Sequence, residues 1–414
     1  MKYMYSKAKH FVEKIRCKNN EKNSYNYIKE IISGTILLGI TLTLLCGCSI
    51  AANYKENEIQ KEEEKNETEL QENQRDLVQE KVKSMTLEER VGQLFIVGFN
   101  GTEANEEITN MIKVRKVGGV IFFGGNLGTV AESKELIEDL NNLNSENHVK
   151  LFMSLDEEGG IVSRIPKEMG SFESAWNVGS KGDLKYAFDH GMAIGETIKS
   201  LGFNLNFAPV LDVNSNPNNP VIGSRAFSDN PEVVKTIGTE VFKGMKSTGI
   251  IASGKHFPGH GDTSVDSHFT TPIINKSIEE LRNLELIPFK YAIDEGIDMI
   301  MVGHLYLPQL DSEYISSLSS KIITGLLRQE LGFNGVVITD DMMMEGVKGK
   351  YSTKEAAVKA IQAGNDIMIM SRTFQDQGDA IDGVMEAIKN GIISEERINE
   401  SVYRIIKLKN LNGQ

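Results

Sequence analysis

The chain has 414 residues, which is enough for one large domain or two ordinary ones. Its 40% hydrophobic content is ordinary for a globular protein and supports a sizeable core. The formal net charge of −13 argues against nucleic acid as a partner, because phosphate binding needs basic surfaces.

Residues 1–47 have the pattern of an export signal. Residues 1–30 carry eight Lys or Arg against three Glu, and the uncharged run IISGTILLGITLTLL follows them. A positive segment, a short apolar run and small residues are typical of a secretory signal, and a membrane-spanning helix would need about 20 apolar residues. The LCGC at 45–48 resembles a bacterial lipobox, with Cys48 as the lipidated first residue of the mature protein. The alternative is an uncleaved membrane anchor.

Residues 48–77 are almost wholly polar and charged. We interpret them as a solvated tether between the membrane and a domain at 78–414, although a specific binding segment is an alternative. The other two cysteines, Cys17 and Cys46, precede the predicted cleavage site, so the exported chain would hold no disulfide. These features predict a lipid-anchored protein on the extracytoplasmic face of the cell membrane.

Eight short apolar runs alternate with segments of helical spacing in the domain. The predicted strands are Leu94–Phe99, Gly118–Phe123, Lys150–Asp156, Asn204–Val213, Gly249–His256, Asp298–His304, Gly335–Asp341 and Asp366–Ser371. Near-continuous apolar runs are typical of parallel strands that are buried on both faces. Eight such units predict a single (β/α)8 barrel, and a doubly wound open sheet is the competing architecture.

Charged residues follow the predicted strands at the same end of the sheet. Asp156, Asp212, Lys255-His256, His304 and Asp340-Asp341 stand at or near the ends of strands three to seven. Because the carboxyl ends of parallel strands meet on one face, we expect a polar pocket there. Each residue taken alone is more often a strand-end ion pair or a helix cap.

The loop KHFPGHGDTSVDSH at 255–268 is rich in titratable side chains and turn formers. Asp266 lies two residues before His268, so its carboxylate can hold the imidazole in one tautomer and prepare it for general acid/base catalysis. A loop-stabilising hydrogen bond without catalysis is one alternative. Metal binding is another, although no standard ligand spacing is present.

The strand end TDDMMMEG holds a second candidate group. Asp340 or Asp341 can serve as a nucleophile, or one of them can cap the next helix. Arg164, Arg225 and Lys255 are candidates for holding a polyhydroxylated or anionic ligand. The triplet Met342–Met344 is expected to pack in the core, with one side chain near the pocket.

Four segments together resemble family 3 glycoside hydrolases, and more narrowly their β-N-acetylhexosaminidase branch. They are DEEGGIVSR, NFAPVLDVNSNPNNPVIGSRAFSDNP, GKHFPGHGDTSVDSH and GVVITDDMMMEG, and the resemblance extends from about Met85 to Leu411. It implies a (β/α)8 barrel and retaining glycoside hydrolysis without a metal or organic cofactor.

The resemblance also implies roles for individual residues. Asp340 matches the family nucleophile, His268 the general acid/base of this branch, and Asp266 its dyad partner. The residues expected to bind sugar hydroxyls are Asp156, Arg164, Arg225, Lys255 and His256. One departure is that DEEGGIVSR has Glu157 and Ile161 where the family usually has Gln and Arg, which removes a positive group near the site.

We therefore expect an exo-β-N-acetylglucosaminidase that acts on peptidoglycan-derived muropeptides or related glycans, as a monomer held to the membrane through Cys48. A β-glucosidase or β-xylosidase, and a phosphorylase that uses phosphate in place of water, are the enzymatic alternatives. A catalytically idle sugar-binding lipoprotein is the alternative from another class. All three catalytic candidates are present, which argues against the idle form.

Overall fold

The computed structural model describes residues 75–147, 149–263, 271–371 and 373–411. The predicted acid/base pair, Asp266 and His268, and the predicted lipidation site, Cys48, lie outside the described residues. Within them no helix is both long enough and apolar enough to cross a membrane.

Eight parallel strands among the described residues close into a barrel in chain order. They are β1 (Phe95–Val97), β2 (Gly119–Phe122), β3 (Phe152–Leu155), β4 (Leu205–Asn206), β5 (Ile251–Phe257), β6 (Met299–Val302), β7 (Val336–Asp341) and β8 (Ile367–Met370). Ile96 of β1 pairs with Gly119 on one side and with Ile369 on the other, which closes the ring. The predicted (β/α)8 barrel is confirmed, and the open doubly wound sheet is excluded.

Helices separate successive strands in most of the units. They are α1 (Leu87–Gly92), α2 (Glu106–Lys113), α3 (Val130–Leu143), α4 (Ala175–Lys181), α5 (Leu184–Leu201), α6 (Pro231–Ser247), α7 (Ile278–Arg282), α8 (Leu286–Asp294), α9 (Glu345–Lys348), α10 (Thr353–Ala363), α11 (Phe374–Lys389) and α12 (Glu395–Leu411). A π-helix, Lys321–Glu330, lies between β6 and β7. Residues 75–84 are also helical and bury Val78 and Val82 against the barrel.

Local sequence signals set where several helices begin. Thr86, Thr129, Ser277 and Ser352 each form a capping box, in which the hydroxyl accepts from a backbone N–H and a Glu three residues on accepts in return. Pro231 stands at the first position of α6, where its missing N–H costs nothing. These caps fix the residue at which each of these helices begins.

All eight strands are shorter than predicted, seven of them by one to three residues, and the fourth differs most. The fourth strand was expected to run to Val213, but regular pairing stops at Asn206, and Val210 makes only an isolated bridge to Lys255. Pro209 lacks the N–H that a central strand must donate. One of the segments of helical spacing, 277–296, forms two helices, α7 and α8. The ring of Pro288 clashes with the carbonyl four residues earlier and prevents a continuous helix.

The amino-terminal ends of the strands are closed by buried charges. Asp366, just before β8, accepts hydrogen bonds from Arg328 at 2.6 Å and from Arg404 at 2.9 Å. The Lys409 ammonium from α12 donates to three oxygens, including the carbonyls of Gly118 and Lys150, both at 2.7 Å. This end of the barrel is therefore held together by polar contacts between distant parts of the chain.

Candidate active site

A cavity of about 210 Å³ opens at the carboxyl ends of the strands. All six described residues to which the family resemblance assigns a role line it, namely Asp156, Arg164, Arg225, Lys255, His256 and Asp340. They come from the ends of β3, β5 and β7 and from the loops after β3 and β4. Its position matches that of active sites in (β/α)8 enzymes.

Two buried cations and two carboxylates form a continuous network along one wall of the cavity. The Arg225 guanidinium donates to both carboxylate oxygens of Glu158 at 2.8 Å. The Lys255 ammonium lies 2.7 Å from Glu158 and 2.5 Å from Asp156. Bidentate arginine–carboxylate pairs are geometrically specific, so this network holds its members in fixed positions.

Each buried group in the network is held in its charged form by its partners. Burial opposes ionisation of Glu158, but Lys255 and Arg225 lower the pKa of its carboxyl far below the ordinary value. Burial also opposes the charge on Lys255, and Asp156 and Glu158 raise the pKa of its ammonium. The sequence suggested an anionic or a polyhydroxylated ligand for these cations. Because the two cations already have carboxylate partners, the arrangement favours neutral hydroxyls.

Asp340 stands near the end of β7 with its carboxyl at the cavity. Burial would raise the pKa of this carboxyl, but the His256 and His304 imidazoles, the Asp341 N–H and the Lys255 ammonium together lower it below its usual value. The Asp341 N–H donates to the Asp340 carboxylate at 2.8 Å. An ionised carboxylate at the wall of a cavity is suited to nucleophilic attack.

Asp341 does not cap the helix that follows, as one interpretation of the Asp pair expected. Its carboxylate accepts from the N–H groups of Met343 and Ser371, both at 3.1 Å, and from the Ser371 hydroxyl. The helix α9 begins after Met344 without a side-chain cap. Asp341 therefore joins the end of β7 to the end of β8 and leaves its neighbour Asp340 as the candidate nucleophile.

Asp212 organises the start of the histidine-rich loop. Its carboxylate lies 2.7 Å from the His256 Nδ1 and accepts from the His260 N–H at 2.6 Å. Burial and the neighbouring His256 lower the pKa of His260 to about 4, so this imidazole is neutral near pH 7. Within the described part of the chain, no group of three or more His, Cys, Asp or Glu residues has an arrangement that could hold a metal ion.

His304 lies fully buried beside the two aspartates of β7. Its Nδ1 is 2.7 Å from the Ser317 hydroxyl and its Nε2 is 3.0 Å from the Asp341 carbonyl oxygen. With a partner on each nitrogen, the ring cannot rotate freely. His304 thus supports the backbone next to Asp340 from behind the cavity.

The loop after β3 departs from the family pattern in a way that the structure explains. Glu157 is fully buried and accepts from the Ser163 hydroxyl and the Arg164 N–H, both at 2.8 Å. Ile161 is 75% exposed and does not line the cavity. Its neighbour Val162 does line the cavity, so the loss of a positive group near the site stays a prediction.

Glu158, Asp212, His260 and His304 contribute to the site without having been assigned a role from the sequence. A signal for Glu158 was present, since residues i and i+2 of an extended segment share a face and Asp156 was already a candidate. His260 and the strand-end residues Asp212 and His304 were visible, but sequence spacing could not show their partners. The Met triplet behaves as predicted, because Met342 and Met343 are buried and Met344 lines the cavity.

The chain matches the glycosyl hydrolase family 3 N terminal domain over residues 86–408. It is 35% identical over 328 residues to a protein named beta-hexosaminidase A from Pseudoalteromonas piscicida, covering 73% of this chain and 55% of that relative. It is 31% identical over 296 residues to a beta-hexosaminidase from Methylobacillus flagellatus, covering 70% of this chain and 82% of the relative.

A solved structure has the same architecture. The glycoside hydrolase family 3 beta-N-acetylglucosaminidase from Paenibacillus sp. superposes with a TM-score of 0.78 at 40% sequence identity, covering 80% of this chain and 63% of that chain. The chain thus spans a little over half of the Pseudoalteromonas relative and somewhat under two thirds of the Paenibacillus structure.

Proposed function

This chain belongs to glycosyl hydrolase family 3, and from that premise we propose that it is a retaining exo-β-N-acetylglucosaminidase (β-N-acetylhexosaminidase). The observation that carries the proposal is the ionised Asp340 carboxylate at a cavity whose other wall is the paired network of Lys255, Asp156, Glu158 and Arg225. Two relatives named beta-hexosaminidase and a structure named as a beta-N-acetylglucosaminidase support the choice of sugar.

The paired network supports recognition of a pyranose ring. Asp156 and Glu158 offer acceptor oxygens, and Lys255 and Arg225 offer N–H donors, all at positions fixed by contacts of 2.5–2.8 Å. A terminal sugar presents several hydroxyls, each both donor and acceptor, which match such a surface. His256 and Arg164 complete the set of residues assigned to sugar binding.

The proposed acid/base is His268, oriented by Asp266. Both lie outside the described residues, so this part of the proposal is supported by the sequence motif. The described start of the same loop lies at the cavity, where His260 is a lining residue. Thr263, whose hydroxyl is 3.0 Å from the His260 Nδ1, precedes Asp266 by three positions.

The reaction would proceed in two steps with net retention. In the first, an Asp340 oxygen bonds to the anomeric carbon, the glycosidic C–O bond breaks, and the leaving oxygen takes a proton from His268. In the second, neutral His268 accepts a proton from water while the water oxygen bonds to the anomeric carbon. As that bond forms, the ester bond to Asp340 breaks and its carboxylate is regenerated.

The proposed natural substrates are peptidoglycan-derived muropeptides or related glycans with a terminal β-linked GlcNAc. The export signal at 1–47 supports this choice, since the cell-wall polymer lies outside the membrane. We place the protein, as a monomer, on the extracytoplasmic face of the cell membrane, anchored by lipid at Cys48. In that case cells that are fed a labelled fatty acid should incorporate the label into the parent but not into Cys48→Ala, and equal labelling of the two would exclude lipidation at this residue.

The activity is tested with p-nitrophenyl β-glycosides of GlcNAc, glucose and xylose, each with and without phosphate, using a soluble protein that starts near residue 78. Release from the GlcNAc substrate alone is the expected result, and acceleration by phosphate would make the enzyme a phosphorylase. Release from glucose or xylose instead would move it to the glucosidase or xylosidase alternative. If nitrophenol is released from none of the three substrates but calorimetry detects GlcNAc binding, the protein would be a sugar-binding lipoprotein.

A further inference from the structure

The side chain of Asn219 lies buried between two loops of the candidate active site. It belongs to the loop after β4, which carries Arg225, and it faces the loop after β5, which begins with Pro258. Asn219 itself does not line the cavity. Asn219 can therefore act on the reaction only through the residues that it holds.

Each end of the Asn219 amide serves a different loop. The carbonyl oxygen accepts from the N–H groups of Val221 and Ile222 at 2.8 and 2.9 Å. The NH₂ group donates to the carbonyl oxygens of His260 and Gly261 at 2.9 and 3.0 Å. An amide that donates to one loop and accepts from the other fixes the position of each loop relative to the other.

Backbone contacts beside Asn219 bring the same two loops together. The Asn216 N–H lies 3.3 Å from the Gly261 carbonyl oxygen, and the Asn216 side chain donates to the Thr263 carbonyl at 3.1 Å. A Cβ placed on Gly261 would lie 1.6 Å from the Val213 carbonyl oxygen, so only glycine permits this approach. The loops after β4 and β5 are thus in direct contact, and the Asn219 NH₂ group donates its hydrogen bonds where the two loops are already closely packed.

The residues held by Asn219 belong to the reaction site. Val221 and Arg225 on one loop and His260 on the other line the cavity. In the sequence, Asp266 and His268 follow the bonded Gly261 by five and seven positions. We propose that Asn219 is a positioning residue for the glycosidase reaction, and that its NH₂ group sets the start of the acid/base loop against the sugar-binding loop. The proposal rests on the proposed function.

The NH₂ group can be removed without changing the shape of the side chain. In Asn219→Asp the oxygen that accepts from Val221 and Ile222 is retained, while the second carboxylate oxygen faces the carbonyls of His260 and Gly261. Two acceptors at hydrogen-bond distance repel each other, so the loop after β5 should move away. Asn218→Asp is the matched control, because it places the same charge on the neighbouring, exposed position.

The kinetic test compares a substrate with a poor leaving group, N,N′-diacetylchitobiose, with p-nitrophenyl β-GlcNAc. In Asn219→Asp, kcat on the disaccharide should fall about 100-fold, since small displacements of catalytic groups have effects of that order. The fall should be smaller on the aryl substrate, whose leaving group needs less protonation. Asn218→Asp should match the parent on both. Equal losses on the two substrates, or no loss, would overturn the positioning role.

Hydrogen exchange tests whether the Asn219 side chain holds the two loops together, independently of any activity. In Asn219→Asp, amide protection should fall in peptides that cover 257–263 and persist in those that cover 220–224, whereas Asn219→Ala should lose protection in both. Unchanged protection in 257–263 would overturn the inference even if the enzyme is active. If protection changes as expected but the parent cleaves no glycoside, Asn219 still holds the two loops together and it is the proposed function that is rejected.

Discussion

Asp340 keeps its negative charge in a place where burial opposes it. The lowered pKa of its carboxyl depends on the imidazoles of His256 and His304, the Asp341 N–H and the ammonium of Lys255. Because the Asp340 carboxylate stays ionised below the ordinary pKa of an aspartate, its protonation should not limit activity at that pH. The neighbouring Asp341 has the opposite shift, because burial raises the pKa of its carboxyl. Two adjacent aspartates are thus given different roles by their surroundings. The residue types alone left both open as the nucleophile, and only the family resemblance pointed to Asp340.

His260 should make stability depend on pH. Its pKa is about 4 in the folded protein and about 6.5 when unfolded, so the unfolded chain binds the proton more tightly. The contribution to stability is complete above pH 6.5 and is lost as the pH falls towards 4. Between pH 7 and 4.5 the parent should lose about 2 kcal/mol more free energy of unfolding than His260→Gln, measured by urea unfolding at both values. Equal losses in parent and variant would show that His260 titrates normally.

The loop after β3 shows which features of a strand and its following loop can be predicted from the sequence and which cannot. The strand and its terminal Asp156 were predicted, since a strand buried on both faces is a continuous apolar run. The roles of Glu157 and Glu158 were not predicted. Both are acidic residues in a turn-rich segment, and only their contacts in the folded protein distinguish their roles. One points away from the cavity and holds the loop backbone, and the other joins Lys255 and Arg225. Long-range partners of this kind leave no local pattern.

The Glu158→Gln variant should be strongly destabilised. Replacing the shared carboxylate leaves Arg225 without its carboxylate partner and Lys255 with Asp156 alone, and breaking a buried pair costs about 3 kcal/mol or more. The KM for a GlcNAc glycoside should also rise, because two sugar-binding cations lose their anchor. Chemical denaturation and steady-state kinetics measure the two effects. Glu173→Gln, on the same loop but in an exposed pair with Lys181, should leave stability almost unchanged. Similar losses in both variants would contradict the network's importance.

Taken as a whole, the barrel has buried ion pairs at both of its ends, but the candidate catalytic groups at only one. The candidate catalytic groups lie at the carboxyl ends of the strands, and the buried charges around Asp366 and Lys409 lie at the other end. The eight-strand alternation was enough to predict the barrel, and with it the face on which the site would lie. It could not predict the closing contacts at the opposite end, since Arg328, Arg397 and Arg404 come from distant segments and meet Asp366 only in the fold.

Asp366→Asn should therefore weaken the fold and spare the reaction. Three arginines would lose a buried carboxylate, which is expected to lower the free energy of unfolding by about 3–5 kcal/mol. At a temperature where the variant remains folded, kcat on the GlcNAc substrate should stay within about two-fold of the parent value. Thermal unfolding and kinetics on the same preparation provide both numbers. A large loss of kcat with normal stability would show that the two ends of the barrel are coupled.

Azide rescue of Asp340→Ala tests whether Asp340 attacks the sugar directly. The variant should release almost no nitrophenol from p-nitrophenyl β-GlcNAc by itself. Azide should restore release by taking the vacated place, and NMR should identify the α-glycosyl azide, because attack then occurs once from the nucleophile's side. Near-parental activity without azide, or a β-glycosyl azide as the product, would contradict the assignment and require another nucleophile.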